Sequence, residues 1–210
     1  MAVVFDNAST VGTGGTSIPA FTIANDATAV VAWISCQVSS GTDLSGMTAT
    51  IGGQSMAKQI FSPTESLQLI NLRLLNPPTG SQGITLTGLS GAARYYAGIA
   101  ASYKGVRSFG AVVSGTANSI SPTVNCSSEL GDMVSNGIMY SGSLETYNQT
   151  LRGNKNTAAF VNQGVLLGDA PGAPSVQFQM TMTNSGQWIC AALPLIGEKS
   201  SGNFFPLIMA

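Results

Sequence analysis

Ser55-Met-Ala-Lys58 is the arrangement in this chain nearest to a catalytic motif. In penicillin-binding enzymes a lysine one helical turn beyond a serine activates its hydroxyl. That chemistry needs the serine at the start of a helix. Here the pair follows Gly52-Gly53, a tight-turn sequence between two apolar runs, and neither Ser-Asp-Asn nor Lys-Thr-Gly occurs to complete the set. Ser55 and Lys58 are therefore expected on a hairpin, without catalytic contact.

Other reactive groups are few. Histidine is absent, which removes the usual general base, the Ser-His and Cys-His nucleophile pairs and the commonest zinc ligand. The nine carboxylates are dispersed, with no Asp-x-Asp calcium loop. Glu129 and Asp132 beside Cys126 could meet in space, although solvated loop charges are the expected reading. Gly12-Thr-Gly-Gly-Thr16 lacks the Gly-Lys-Ser/Thr ending and following helix of a phosphate cradle, so it reads as a connector. Cys36, Cys126 and Cys190 make no CxxC pair, and an odd number is no disulfide framework. They read as buried small hydrophobes, with a Cys36–Cys190 bridge open if their strands are neighbours. Asn7, Asn125 and Asn148 start N-glycosylation patterns that chance supplies in so hydroxyl-rich a chain. Trp33, Trp188, Tyr140 and Tyr147 are the rings that a sugar-binding face would display; alternation in their strands puts both tryptophans in the core instead. No catalytic, cofactor or metal site is expected.

The elements that hold these residues read as strands. Arg94 to Val106 organises the rest: Tyr95, Ala97, Ile99, Ala101 and Tyr103 share one side, and Tyr96, Gly98, Ala100, Ser102 and Lys104 the other. Its length and two packable faces predict an interior strand. Val30, Ala32, Ile34, Cys36 and Val38 likewise oppose Val31 and Trp33 within Thr28 to Val38, so both faces of that strand are covered. Further strands are expected at Val3 to Phe5, Ile18 to Ile23, Met47 to Ile51 with Met56 to Phe61 as its hairpin partner, Leu67 to Leu75 and Ile84 to Thr87. Beyond Val106 the pattern repeats more loosely, at Ile120 to Val124, Met133 to Tyr140, Tyr147 to Leu151 and Ala158 to Leu167. Val176, Phe178, Met180 and Met182 then alternate with Gln177, Gln179, Thr181 and Thr183, and Gln187 to Ile196 returns after a turn at Asn184-Ser-Gly186. No apolar 3.6-residue period lasts three turns. The fold class is all-β: a two-sheet antiparallel sandwich of jelly-roll type, with about a dozen strands and no major helix. The organisation expected is an N-terminal arm and loop (1–17), one sandwich domain (18–197) and an apolar tail (198–210).

Only 8% of the 210 residues are charged, against about 25% in an ordinary domain, and 44% are hydrophobic. Two readings fit such a deficit, a membrane protein or a subunit covered by neighbours. The longest apolar run, Ala27 to Cys36, falls short of the roughly 20 residues of a spanning helix, and the opening residues have no basic region of a secretory signal. A net charge of −1 with scattered cations argues against nucleic acid. The tail, ending Phe204-Phe-Pro-Leu-Ile-Met-Ala, is an aggregation liability if exposed, so it either folds back onto its own sheets or docks on a neighbour. Val3, Val4 and Phe5 of the arm, with Phe204, Phe205, Leu207, Ile208 and Met209 of the tail, are the partner-binding candidates.

Gly52-Gly53-Gln54-x-Met56, Leu75-Asn-Pro-Pro-Thr-Gly80, Ser102-Tyr-x-Gly105-Val106 and Ser185-Gly-Gln-Trp188, taken in this order from about Val11 to Gly197, resemble a group of β-sandwich virion proteins of tailed bacteriophages. The resemblance implies a head decoration, minor capsid or tail-associated component, assembled in the host cytoplasm and bound to other virion proteins and to copies of itself. It carries over no catalytic residue and no cofactor. The rival expectation is a carbohydrate-binding adsorption module that recognises a host surface glycan.

Overall fold

The computed structural model describes residues 1–13, 16–39, 42–62, 66–89, 93–155 and 163–198, with backbone only at 93 and 94. The tail candidates Phe204, Phe205, Leu207, Ile208 and Met209 lie outside the described residues. The first half of the chain contributes β1 (Val4–Ala8), β2 (Ser17–Ile23), β3 (Ala27–Val38), β4 (Thr48–Ile51), β5 (Gln54–Ser55), β6 (Ala57–Phe61), β7 (Leu67–Leu75), β8 (Gly80–Thr87) and β9 (Ala93–Lys104). The second contributes β10 (Val106–Phe109), β11 (Val113–Ser119), β12 (Thr123–Cys126), β13 (Met133–Ser141), β14 (Leu144–Tyr147), β15 (Thr150–Lys155), β16 (Gln163–Pro171), β17 (Val176–Met182) and β18 (Gly186–Gly197). There is no helix among the described residues.

These strands build four antiparallel sheets where the sequence predicts two. Their orders are β2-β8-β4-β5, β1-β9-β3-β7-β6, β10-β18-β13-β16-β15 with β11 also on β18, and β12-β17-β14. Three apolar layers lie between them. Ile18 and Ile84 meet Ile34, Cys36, Ile70 and Tyr96 in the first. Trp33, Leu69, Ile99 and Tyr103 meet Met139, Val165, Leu167 and Leu193 in the second. Val134, Ile138, Leu166 and Cys190 meet Phe178, Met180 and Met182 in the third. The two inner sheets are thus buried on both faces, which is why β3, β9 and β18 read as near-continuous apolar runs, whereas β17 in an outer sheet alternates cleanly.

The halves match strand for strand. The inner order β1-β9-β3-β7-β6 corresponds to β10/β11-β18-β13-β16-β15, and the outer order β2-β8-β4 to β12-β17-β14. Gly105, at φ +74, turns the chain from one half to the other. The inner sheets approach closely where Trp33 lies over Gly137, so that a Cβ at 137 would fall inside the indole.

Several strands differ from expectation. Met56 to Phe61 is not the hairpin partner expected for β4: Gln54–Ser55 takes that place, while Ala57–Phe61 crosses to β7 in the adjoining sheet. Tyr147 to Leu151 is broken, because Asn148 turns out of β14 and bonds across to β17 before β15 begins. β11 was not foreseen; its Ser, Thr and Asn residues cover β18 without apolar alternation. The predicted stop after Leu75 is present, with Asn76 at φ 50 ahead of two prolines.

Candidate functional site

The Ser-x-x-Lys pair is separated in function by the strand crossing. Ser55 sits exposed on β5, paired with Thr50. The Lys58 ammonium donates to the carbonyls of Leu44 (3.2 Å), Ser45 (2.7 Å) and Met47, and so ties the 44–47 loop to β6. All three of its donor contacts are thus spent on backbone carbonyls rather than on Ser55. Asp43 closes the other side of this loop by accepting from the Ser45 amide and hydroxyl, which hold its carboxyl below the usual range.

The carboxylates near Cys126 also serve the chain itself. Asp132 Oδ2 accepts from the Ser128 hydroxyl (2.9 Å) and the Glu129 amide (3.1 Å), and Oδ1 accepts from the Gly197 amide (2.9 Å). Asp132 therefore pins the end of β18 to the loop before β13. An open cavity of about 540 Å³ lies beside it, walled by Cys126, Ser128, Glu129, Asp132 and Pro194. Among the described residues no group of three or more His, Cys, Asp or Glu side chains is placed to hold a metal ion.

One ionised pair is enclosed, and sequence reasoning missed it. Asp169 on β16 is 1% exposed and accepts from Arg152 Nε on β15 at 2.8 Å. Tyr103 on β9 donates its hydroxyl to the same oxygen, Oδ2, at 3.3 Å. The Arg152 guanidinium lies 3.7 Å from the centre of the Phe5 ring, and Phe5 meets Tyr103 edge-on. Burial raises the Asp169 carboxyl above its usual range, and Arg152, then Tyr103, oppose that shift. Trp33 Nε1 donates to Ser135 Oγ at 3.1 Å nearby. The cluster spans the seam between halves: Phe5, Trp33 and Tyr103 from the first, Ser135, Arg152 and Asp169 from the second. With the acid enclosed and its charge answered, it can fasten the sheets but offers no route to a substrate. The only sequence signal was an aspartate inside an apolar strand.

The rings do not form a sugar platform. Trp33, Trp188 and Tyr140 are buried, and Trp188 Nε1 donates to Ser119 Oγ at 3.0 Å. Tyr147 donates to Asn136 Oδ1 at 3.1 Å, and burial pushes its phenol far above the usual value. All three thiols are free and buried. Cys36 belongs to the first apolar layer and Cys190 to the third, so the bridge left open by the sequence is excluded by two intervening sheets. Burial pushes both thiols up to about 12.

Of the arm candidates, Val3 is 4% exposed and Phe5 packs into the second layer, so only Val4, at 47%, faces outward. The outer sheets present charge-poor faces. Ser17, Thr85, Thr50 and Ser55 stand in register across β2, β8, β4 and β5, with Thr48 opposite Thr87 beyond them. On the other outer sheet Thr123 opposes Gln179 and Asn125 opposes Gln177. Glu145, at the bulge of β14, is the acidic residue on that sheet. No protein-family model, no curated protein and no solved structure matches this chain.

Proposed function

We propose that this chain is a non-enzymatic structural subunit of a bacteriophage particle, with a capsid decoration or minor capsid subunit as the assignment within that class. The sequence resemblance suggests the class, and the charge-poor outer faces are the observation that carries it here. Hydroxyl and amide rows on both outer sheets leave surfaces that an adjacent subunit covers at little desolvation cost, since Glu145 is the charge they carry among the described residues. The charged groups are spent elsewhere: Lys58 on a loop, Asp132 on a strand end, Arg152 and Asp169 on the seam. The matched strand orders further support reading each half as a jelly roll, with β5 and β6 together forming the one strand that passes between sheets. The host-glycan alternative is weaker, because the four aromatic side chains it would use are buried or half-buried.

The test is direct. Particles from the lysed host are purified through a density gradient, their proteins quantified by mass spectrometry, and the chain located by antibody labelling in negative stain. A fixed copy number per particle is expected. Recovery only in the soluble lysate would remove the proposal.

A further inference from the structure

A groove of about 850 Å³ runs along the edge where the halves join, lined by Val4, Leu75, Val106, Lys104, Arg107 and Glu198 among others. A second depression of about 380 Å³ shares Met1, Ala2 and Glu198 with it and adds Leu130. The exposed apolar residues converge here. Five large hydrophobics are exposed among the described residues, and Met1 (80%), Val4 (47%) and Leu130 (89%) all line these two depressions. A contiguous patch of this kind marks an interaction site or an aggregation liability. The chain also departs from this place: Gly197 is fixed by Asp132, and the Glu198 carbonyl accepts from the Met1 ammonium at 2.8 Å.

We propose that this groove seats the apolar segment Phe204–Met209 of the same chain. Five residues separate Glu198 from Phe204, and the six steps allow about 20 Å of extended chain from Glu198, which itself lines both depressions. Its side chains are apolar and carry no charge, which suits the strip of Met1, Val4 and Leu130, beside which Lys104 is already paired with Asp26 at 2.7 Å. Seating the segment covers two apolar liabilities with each other. The inference concerns the free chain and stands whether or not the particle assay above succeeds.

The probe is a fluorescein-labelled peptide of residues Asn203 to Ala210, titrated by anisotropy against the chain truncated after Glu198. Every described strand ends by Gly197, so the truncation removes none of them. Saturable binding is expected, weakened at least tenfold by Val4→Asp or Leu130→Asp, both at exposed positions that leave the thermal midpoint in place. The full-length chain should bind the peptide at least tenfold more weakly, because its own segment competes. Absence of saturable binding, indifference to both substitutions, or equal affinity of full-length and truncated chains would each overturn the proposal. A full-length dimer that truncation dissociates would place the segment on a second copy and overturn the same-chain seat.

Discussion

Arg152→Met isolates what the seam cluster contributes. The methionine keeps much of the apolar stem and deletes the guanidinium, leaving Asp169 1% exposed with the Tyr103 hydroxyl still donating to it at 3.3 Å. Removing one partner of a buried pair costs about 3–5 kcal/mol. The Arg152 side chain is 23% exposed, so screening places the loss near the lower end, about 3 kcal/mol. For a domain of this size, 1 kcal/mol moves the midpoint about 2–4 °C, giving a fall of roughly 6–12 °C at pH 8. The pH dependence follows from the sign of the shift. Burial already raises the Asp169 carboxyl in the folded chain. Such a group favours folding below its unfolded pKa, and the advantage is lost as pH rises through the folded value. Without Arg152 the folded value rises further, so the variant recovers stability on acidification by protonating Asp169. The midpoint difference between wild type and variant, read by circular dichroism, should therefore shrink from pH 8 to pH 5. Arg152→Met combined with Asp169→Leu should regain most of the loss at pH 8, since no buried charge remains and Tyr103 keeps its Ser135 contact. An equal deficit at both pH values, or a double variant no better than the single one, would refute the reasoning.

Gly137→Ala drives a methyl into the Trp33 indole and should cost about 3 kcal/mol or more by urea denaturation, the upper end of overpacking; Gly153→Ala, whose Cβ would meet Ile99 at an ordinary 3.4 Å, should be far milder. In a Cys126→Ser chain, Cys36 and Cys190 should resist an aromatic disulfide reagent up to pH 9 and react only after denaturant is added, because burial holds both near 12; reaction of the native chain would contradict their placement. Lys58→Met removes the bonds to Leu44, Ser45 and Met47, so it should lose about 1–3 kcal/mol and open residues 44–47 to proteolysis, while Ser55→Ala leaves both readouts unchanged.

The elements legible in the sequence were those whose faces carry side-chain chemistry at period two. β3, β7 and β9 were predicted nearly to the residue, because Val, Ile, Leu and aromatic side chains alternate there with small ones and both sets are buried. β11 escaped since its Ser, Thr and Asn side chains bury no alternating apolar set. The crossing of residues 54–61 escaped for a different reason. Gly52 and Gly53 do make the expected turn, but the hairpin they start lasts only through Ser55, and nothing local tells Ala57 to leave β4 for Arg73 of β7. Register between distant strands is a tertiary decision.

The number of sheets was misjudged for a related reason, and it bears on how the chain works. A strand covered on both faces looks the same in sequence whether it lies between a sheet and a helix or between two sheets, so β3 and β13 could not announce that their outer neighbours were further strands. What distinguishes the stack is the pairing of glycine with large rings across layers: Trp33 over Gly137 and Tyr147 over Gly168. Each glycine leaves room for a ring whose bulk would otherwise hold packed elements apart. Trp33 of the first half thereby reaches the Ser135 hydroxyl of the second, within the same seam where Tyr103 reaches Asp169. The seam that joins the halves is thus specified by small residues as much as by the ion pair. Its polar atoms bond one another in the interior, and the outer sheets keep the charge-poor faces on which the proposed contacts with neighbouring subunits depend.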